Sequence, residues 1–178
     1  AQKNVRYDKV GEIHYNLASA LIKSLRGSDV NAALYYAVRM LEGGEDPLFV
    51  LRRLVIFASE DIGNADPNAL QVAVAATESF RFVGLPEGTL PITQAVTYLA
   101  TAPKSNAVLR AYGLARKDVL EFPNEPVPKK LLNAPTQLHR DQGHGRGYKY
   151  PHNFAGNYVE GESYLPDKIA DHLYYSEE

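Results

Sequence analysis

The chain has 178 residues, 45% of them hydrophobic, with a formal net charge of −2, which suits one packed domain or a domain with an appendage. A chain this close to neutral is not a bulk electrostatic binder of nucleic acid, so any DNA contact must come from a local patch. The lack of cysteine excludes disulfide scaffolds and thiolate metal sites, and the lack of an apolar run of about 18 residues excludes a membrane-spanning helix.

The first helical pattern begins shortly after the start of the sequence. Residues 1–5 carry neither an initiator methionine nor a helix-start signal, so we expect an upstream part of the protein. Apolar residues recur every four positions from Ile13 to Leu25, which predicts one face of a helix. Gly27 follows and suits a left-handed C-cap.

Two further helices are marked by aspartate caps. Asp29 is a favourable N-cap, and the apolar face of the second helix runs from Ala33 to Leu41 before two glycines end it. Asp46-Pro47 combines an N-cap with proline at the first helical position. The apolar run Leu48–Ile62 then predicts the third helix.

Three more helices complete the first part of the chain. Residues 69–83 are alanine-rich and apolar around most of the circumference, which predicts a fourth helix in the interior. Pro91 predicts the start of a fifth helix, and Ser105 can cap a sixth over residues 106–120. We predict an all-α fold, a compact bundle of about six helices, with a repeat solenoid as the alternative.

The composition changes at the end of the sixth helix. Residues 123–178 contain 6 of the 11 prolines and 4 of the 5 histidines. Because proline disrupts helices, we expect only short turns, at residues 130–132, 136–142 and 166–172. We predict a helical domain at residues 1–122 and an extended, Pro/Tyr-rich strap at residues 123–178. This strap would pack on the same domain or on a neighbouring subunit.

Catalytic motifs are missing from the sequence. There is no Gly-x-x-x-x-Gly-Lys-[Ser/Thr] motif and hence no P-loop, and the spacing of the histidines does not suit a metal site. Glu60-Asp61 would point about 100° apart on a helix, which disfavours acid–base work. We expect one of the two to pair with an arginine such as Arg52 or Arg53, or to cap the turn at Gly63. We predict no catalytic, cofactor-binding or metal-binding residue in this chain.

Two sets of basic residues are candidates for binding. Residues 127–150 hold five basic side chains against one acid, a net charge of +4, and interleaved aromatics could stack on bases. The nucleic-acid candidates are Lys129, Lys130, Arg140, Arg146, Tyr148 and Lys149. The alternative is a structural strap with its tyrosines in the core. Lys23, Arg26, Arg52 and Arg53 could contact DNA or a subunit, or could be solvated and ion-paired side chains.

Ten sequence blocks, spread over most of the chain, carry a family resemblance. They are Tyr7-Asp8-Lys9, His14-Tyr15, Lys23–Asp29, Ala32–Tyr36, Arg39–Pro47, Arg52–Leu54, Ala58–Gly63, Tyr98–Asn106, Asn133–Thr136 and Gly147–His152. In these blocks the chain resembles the family of replication-associated recombination protein A. Its eukaryotic members are the maintenance-of-genome-stability and Werner-helicase-interacting ATPases.

The resemblance implies a place for this chain in a larger protein. Family members resemble clamp loaders, with an N-terminal AAA ATPase module, a helical lid and a C-terminal region associated with tetramer formation. ATP and Mg²⁺ would bind only in the ATPase module. The DNA-stimulated ATPase acts at stalled forks and gaps, associates with single-strand-binding protein, and is cytoplasmic and nucleoid-associated.

Two functions are expected from these observations. The first is an oligomerisation module, forming a homotetramer, of a clamp-loader-like ATPase in replication-fork maintenance, recombination and repair. The alternative is a DNA- or protein-binding module that docks the ATPase on single-stranded or gapped DNA.

Overall fold

The computed structural model describes residues 11–177, so the Tyr7-Asp8-Lys9 block and the expectation about residues 1–5 lie outside the described residues. The chain divides into two compact units. One contains the described residues up to Tyr112 together with residues 175–177, and the other is Gly113–Tyr174.

Helices are the regular structure of both units. They are α1 (Glu12–Arg26), α2 (Val30–Glu42), α3 (Pro47–Phe57), α4 (Asn68–Val83), α5 (Thr89–Thr101), α6 (Ala107–Glu121) and the short α7 (Gln137–Asp141). Residues 11–177 contain no β-strand, so the predicted all-α fold is confirmed. None of these helices has both the length and the apolarity needed to cross a bilayer.

The helix starts follow local capping chemistry. The carboxylates of Asp29 and Asp46 each accept a hydrogen bond of 2.9 Å from a backbone N–H in the first turn of α2 and α3, as predicted. The start predicted for α5 is wrong, because the helix begins at Thr89, two residues before Pro91. Proline is tolerated in that first turn, where backbone N–H groups have no intrahelical acceptor.

The core of the first unit is built around α5. This helix contacts α1, α2, α3 and α4, and its small side chains Ala95 and Ala100 are fully buried, which allows its neighbours to approach closely. The apolar face predicted for α1 is confirmed, since Leu21 and Leu25 are buried. The largest buried side chain, Phe57, comes from α3.

α4 lies at the surface of its unit, so the prediction of an interior helix is wrong for this chain. Only alanines are buried on α4: Ala69, Ala73 and Ala76. Its outer side carries Leu70 and Val74, which are about half exposed. The reason is that the bundle covers one face of α4 and leaves an apolar face uncovered.

The run predicted as one helix to Ile62 changes form after Phe57. Ala58–Ile62 is a π-helical turn, a wider turn with i→i+5 hydrogen bonds that often occurs at functional sites. Gly63 comes next with φ 53° and ψ −133°, a backbone conformation that residues other than glycine rarely adopt. A Cβ on Gly63 would lie 3.2 Å from Cγ2 of Val108. This turn places the Asp61 side chain in the interior.

The second unit contains the later part of α6 and most of the strap. Its short helical turns are Lys129–Leu131, Gln137–Asp141, Pro151–Asn153, Ala155–Asn157 and Asp167–Ile169, three of which overlap the turns that the sequence predicts. Its buried hydrophobic residues are Val159 and Ile169. Because this core is so small, polar contacts contribute much of the stabilisation of the unit.

Candidate functional site

A groove of ≈ 500 Å³ lies between α1 and α3. It gathers three of the four basic residues that the sequence singles out in the helices, together with aromatic and aliphatic side chains. The residues that define its character are Lys23, Arg26, Arg53, Tyr15, Ile22 and Phe49. The sequence predicted these cations as separate positions, and the fold brings them to one site.

Arg26 is held by a buried carboxylate. Its Nε donates to Oδ1 of Asp61 at 2.7 Å and a terminal nitrogen donates to Oδ2 at 3.2 Å. The Asp61 side chain is 9% exposed and that of Arg26 is 47% exposed. Hydrogen bonding to Asp61 raises the pKa of Arg26 further above its ordinary value. The guanidinium is therefore fixed in orientation, with its remaining N–H donors available.

The ion pair expected for Glu60-Asp61 is present, but its partner is Arg26 rather than Arg52 or Arg53. Arg52 instead has a terminal nitrogen 3.7 Å from a carboxylate oxygen of Asp46, an exposed pair outside the groove. Within residues 11–177, Lys23 and Arg53 take part in no ion pair. The net positive charge of the groove therefore comes from these two side chains.

A buried polar pair supports the other end of the groove. Nδ1 of His14 lies 2.8 Å from Oε2 of Glu45, and the His14 ring centroid lies 4.7 Å from that of Phe49. These contacts hold the Phe49 ring beside α1. Sequence reasoning missed this pair because 31 residues separate its members and neither matches a local motif.

The block Tyr98–Asn106 also proves to be held by polar contacts. Nζ of Lys104 donates to the carbonyls of Ala100 and Ala102 at 3.0 and 2.6 Å and to Oγ of Ser28 at 3.1 Å. Desolvation lowers the pKa of Lys104. This ammonium satisfies carbonyls at the C-terminal end of α5 that have no intrahelical donor.

In the strap, two of the predicted nucleic-acid residues share one acidic partner. Nζ of Lys130 lies 2.6 Å and Nζ of Lys149 lies 3.6 Å from the carboxylate of Glu162. The hydrogen bond from Lys130 lowers the pKa of Glu162. Part of the +4 charge counted for residues 127–150 is thus neutralised by a residue outside that window, which sequence spacing could not show.

The other strap candidates lie at the surface. Lys129 and Arg140 donate to nearby backbone carbonyls, and Arg146 is in no ion pair within residues 11–177. Tyr148 and Tyr150 are 47% and 53% exposed. These two rings are outside the core of the chain, and the loop 146–150 offers cations and aromatic faces to solvent.

A three-residue cluster in the second unit was not predicted from the sequence. Asp118 is buried, and its Oδ2 accepts from Tyr174 Oη at 2.6 Å and contacts Nδ1 of His172 at 2.5 Å. The hydrogen bond from Tyr174 is the main cause of the lowered pKa of Asp118. Hydrogen bonding to Asp118 raises the pKa of His172. We name these residues the Asp118 cluster.

The Asp118 cluster predicts a pH-dependent stability for this unit. The folded-state pKa of His172 is raised. The contribution of the protonated imidazole to the stability of the unit is therefore fully present below the unfolded pKa of about 6.5. That contribution is lost as the pH rises through the folded pKa. NMR titration of the imidazole is expected to give a pKa above that of an unfolded histidine, and Asp118→Asn is expected to return it toward the unfolded value. Above that pKa, amide hydrogen exchange at residues 166–174 is expected to become faster in the unmodified chain. The increase in the His172→Gln variant is expected to be smaller. An unshifted imidazole would contradict the assignment.

Comparison with known proteins gives one consistent result. Residues 27–178 match the family described as the C-terminal region of MgsA AAA+ ATPases. The chain is 49% identical to replication-associated recombination protein A of Escherichia coli and 48% identical to that of Haemophilus influenzae, over 98% of the chain in both cases. It is 46% identical, over 95% of its length, to the ATPase WRNIP1 of Dictyostelium discoideum. The chain spans 39% of the two bacterial relatives and 19% of the Dictyostelium protein.

Proposed function

The chain belongs to the MgsA AAA+ ATPase C-terminal family, and from that membership we propose that it is the module through which copies of a replication-associated ATPase assemble. The names of its relatives support a parent protein that hydrolyses ATP and acts in replication-associated recombination. ATP and Mg²⁺ would then bind in the part of the parent that this chain does not span. The assembly that we propose is a homotetramer.

An uncovered apolar surface carries this proposal. Apolar side chains are exposed where α4 ends and α5 begins: Phe82 is 93% exposed, Val83 47%, Leu85 60% and Leu90, in the first turn of α5, 69%. We call these four residues the α4–α5 patch. Contiguous exposed apolar surface usually marks an interaction site, and the uncovered outer face of α4 extends it. A second copy of the chain, offering the same exposed apolar side chains, is the occupant that we propose.

The test is the mass of the chain in solution. Sedimentation equilibrium at concentrations up to about 50 μM would populate even a micromolar assembly, and we expect a mass that rises to four chains. A stable interface of this kind would bury upward of about 2,000 Å². A monomer at every concentration would overturn the proposal.

A second candidate function is binding of single-stranded DNA by the strap, and the exposed loop 146–150 favours it. Lysine and arginine would meet phosphates while Tyr148 and Tyr150 stack on bases, a mode that is indifferent to sequence. Lys130 contributes less in this proposal than the composition suggested, because it is partly buried against Glu162.

We expect Arg146→Ala with Lys149→Ala to weaken DNA binding and to flatten its salt dependence by up to about one unit of slope per lost phosphate contact. The matched control is Arg116→Ala with Lys117→Ala, which removes the same charge from exposed positions of α6. Anisotropy titrations with oligothymidylate at several salt concentrations give both the affinity for DNA and its salt dependence. Equal behaviour of the two double variants would end the DNA interpretation of this loop.

A further inference from the structure

A pocket of ≈ 300 Å³ lies in the second unit, lined by the end of α6, the residues that follow it and part of the segment 165–174. Two members of the Asp118 cluster, Asp118 and Tyr174, line it together with apolar side chains. The apolar walls are Val119, Phe122, Pro123, Leu165, Pro166 and Ile169. A recess of this size, with few polar groups among apolar walls, is typical of small-molecule sites.

One carboxylate oxygen of Asp118 remains for a ligand. The Tyr174 hydroxyl and Nδ1 of His172 both contact Oδ2, and within residues 11–177 Oδ1 is in no hydrogen bond. Asp118 is only 8% exposed. No fully buried polar side-chain atom in the described part of the chain lacks a partner, so Oδ1 is reached by solvent. Hydrogen bonds from Tyr174 and His172 lower the pKa of Asp118, so this oxygen is part of a charged group that favours a cation.

The available oxygen suits an ammonium group better than a guanidinium. A guanidinium binds a carboxylate best through two parallel N–H donors, one to each oxygen, whereas Oδ2 of Asp118 already serves two protein groups. An ammonium is a compact charge with three donors. One donor can reach Oδ1, and another can reach the lone pairs that remain on the Tyr174 hydroxyl oxygen. The apolar walls then suit the methylene chain that carries the ammonium.

The surroundings of the pocket are acidic. Residues 115–125 and 165–174 together contain five acidic and three basic residues, a net charge of −2 with histidine neutral. Lys168 pairs with Glu125 at 3.4 Å. Glu121 and Asp171 are in no ion pair within residues 11–177, and both lie close enough to His172 to raise its pKa. A second cation on the same ligand would be attracted to these two carboxylates.

We infer that this pocket binds a free aliphatic diamine or polyamine, with one ammonium at Oδ1 of Asp118, the methylene chain along the apolar walls and a second ammonium near Glu121 and Asp171. A lysine side chain of a partner protein has the same terminal group but a single charge, so it would leave the two outer carboxylates without a cation. The pocket shares no residue with the α4–α5 patch or with the exposed loop of the strap. The inference is therefore independent of both proposed functions.

The test measures binding of defined amines to the whole chain by calorimetry and NMR titration. The probes are 1,4-diaminobutane and spermidine, n-butylamine with one ammonium, and 1,4-butanediol with none. Nα-acetyl-lysine amide represents a lysine side chain, and Mg²⁺ at equal charge represents general attraction to acidic surface. We expect the diamine and spermidine to bind with a dissociation constant below about 1 mM. The two single-ammonium probes are expected to bind about two- to five-fold more weakly than the diamine, because an exposed ion pair contributes little.

Three variants locate the site. Asp118→Asn is expected to weaken diamine binding at least about ten-fold, because it removes the charge that the first ammonium meets. The matched control, Asp141→Asn, removes the same charge from an exposed position of the same unit and is expected to change affinity less than about two-fold. Ala115→Met keeps every carboxylate and fills the pocket from α6, so it is also expected to weaken binding about ten-fold. This variant decides the question if Asp118→Asn disturbs the fold.

Four results would overturn the inference. One is the absence of binding by the diamine and by spermidine at about 10 mM. Another is diamine binding that Ala115→Met leaves unchanged, or that Asp118→Asn and Asp141→Asn affect equally. The third is displacement of the diamine by Mg²⁺ at equal charge, which would show general attraction to acidic surface. The fourth is tighter binding of Nα-acetyl-lysine amide than of the diamine, which would make the pocket a docking site for a lysine side chain.

Discussion

Replacing Phe82 and Leu90 by serine is expected to convert the assembled chain into monomers while its helical content stays unchanged. Both side chains are mostly exposed in the single chain, so their removal leaves its core intact. Burial of a large apolar side chain is worth about 1.5–3 kcal/mol, and an interface between two copies would lose this contribution from both partners. Sedimentation equilibrium at one fixed concentration, with circular dichroism as the check on folding, measures the change.

The control for this pair removes apolar surface of similar size elsewhere. Tyr35 is 58% exposed on α2 and Leu173 is 86% exposed in the second unit, and Tyr35→Ser with Leu173→Ser is expected to leave the mass unchanged. If the Phe82→Ser, Leu90→Ser double variant has the same mass in solution as the unmodified chain, the α4–α5 patch is not the interface. The assembly role would then need another surface.

Gly63→Ala is expected to lower the free energy of unfolding by about 2–4 kcal/mol, from backbone strain and from crowding against a packed neighbour. The strain arises because φ at Gly63 is 53° with ψ at −133°. The crowding arises because the added Cβ would lie 3.2 Å from Cγ2 of Val108. Urea unfolding followed by circular dichroism gives the change from the midpoint and slope.

A second glycine provides a control of opposite sign. Gly113 lies inside α6, and a Cβ added there would meet no atom within 4 Å beyond its chain neighbours and the backbone of its own helix. Gly113→Ala is therefore expected to stabilise the chain by about 0.5–1 kcal/mol, because alanine loses less backbone entropy in a helix. If the Gly63→Ala variant were as stable as the unmodified chain, the prediction would be wrong, because the turn after α3 would then relax at little cost in free energy.

The parts of the fold that sequence predicted well are governed by local chemistry. Asp29 and Asp46 cap helices through backbone groups two or three residues away, so their role is visible in a short window. α4 was misjudged because periodicity shows which residues are apolar but not which neighbours exist to cover them. The π-helical turn was missed for a related reason, since Ala58–Ile62 has ordinary helix-forming composition and only its surroundings favour the wider turn.

The candidate site was predicted in its residue types but not in its geometry. Lys23, Arg26 and Arg53 stood out as cations on apolar helices, yet their convergence depends on how α1 and α3 pack. The partner of Arg26 is 35 residues away and that of His172 is 54 residues away. Contacts at such separations leave no spacing pattern, so a single sequence gives the cation and not the acid that orients it.

The wide turn at Ala58–Ile62 also constrains how this region can change length over evolution. A π-helical turn accommodates one more residue than the α-helical turn it replaces. Deletion of a single residue there would restore an ordinary helix and would rotate the next residues of the chain by about 100°. Asp61 would then leave Arg26, and Gly63 would no longer meet Val108. Insertions and deletions are therefore expected to be tolerated more readily in the loop at residues 143–147 than in this turn.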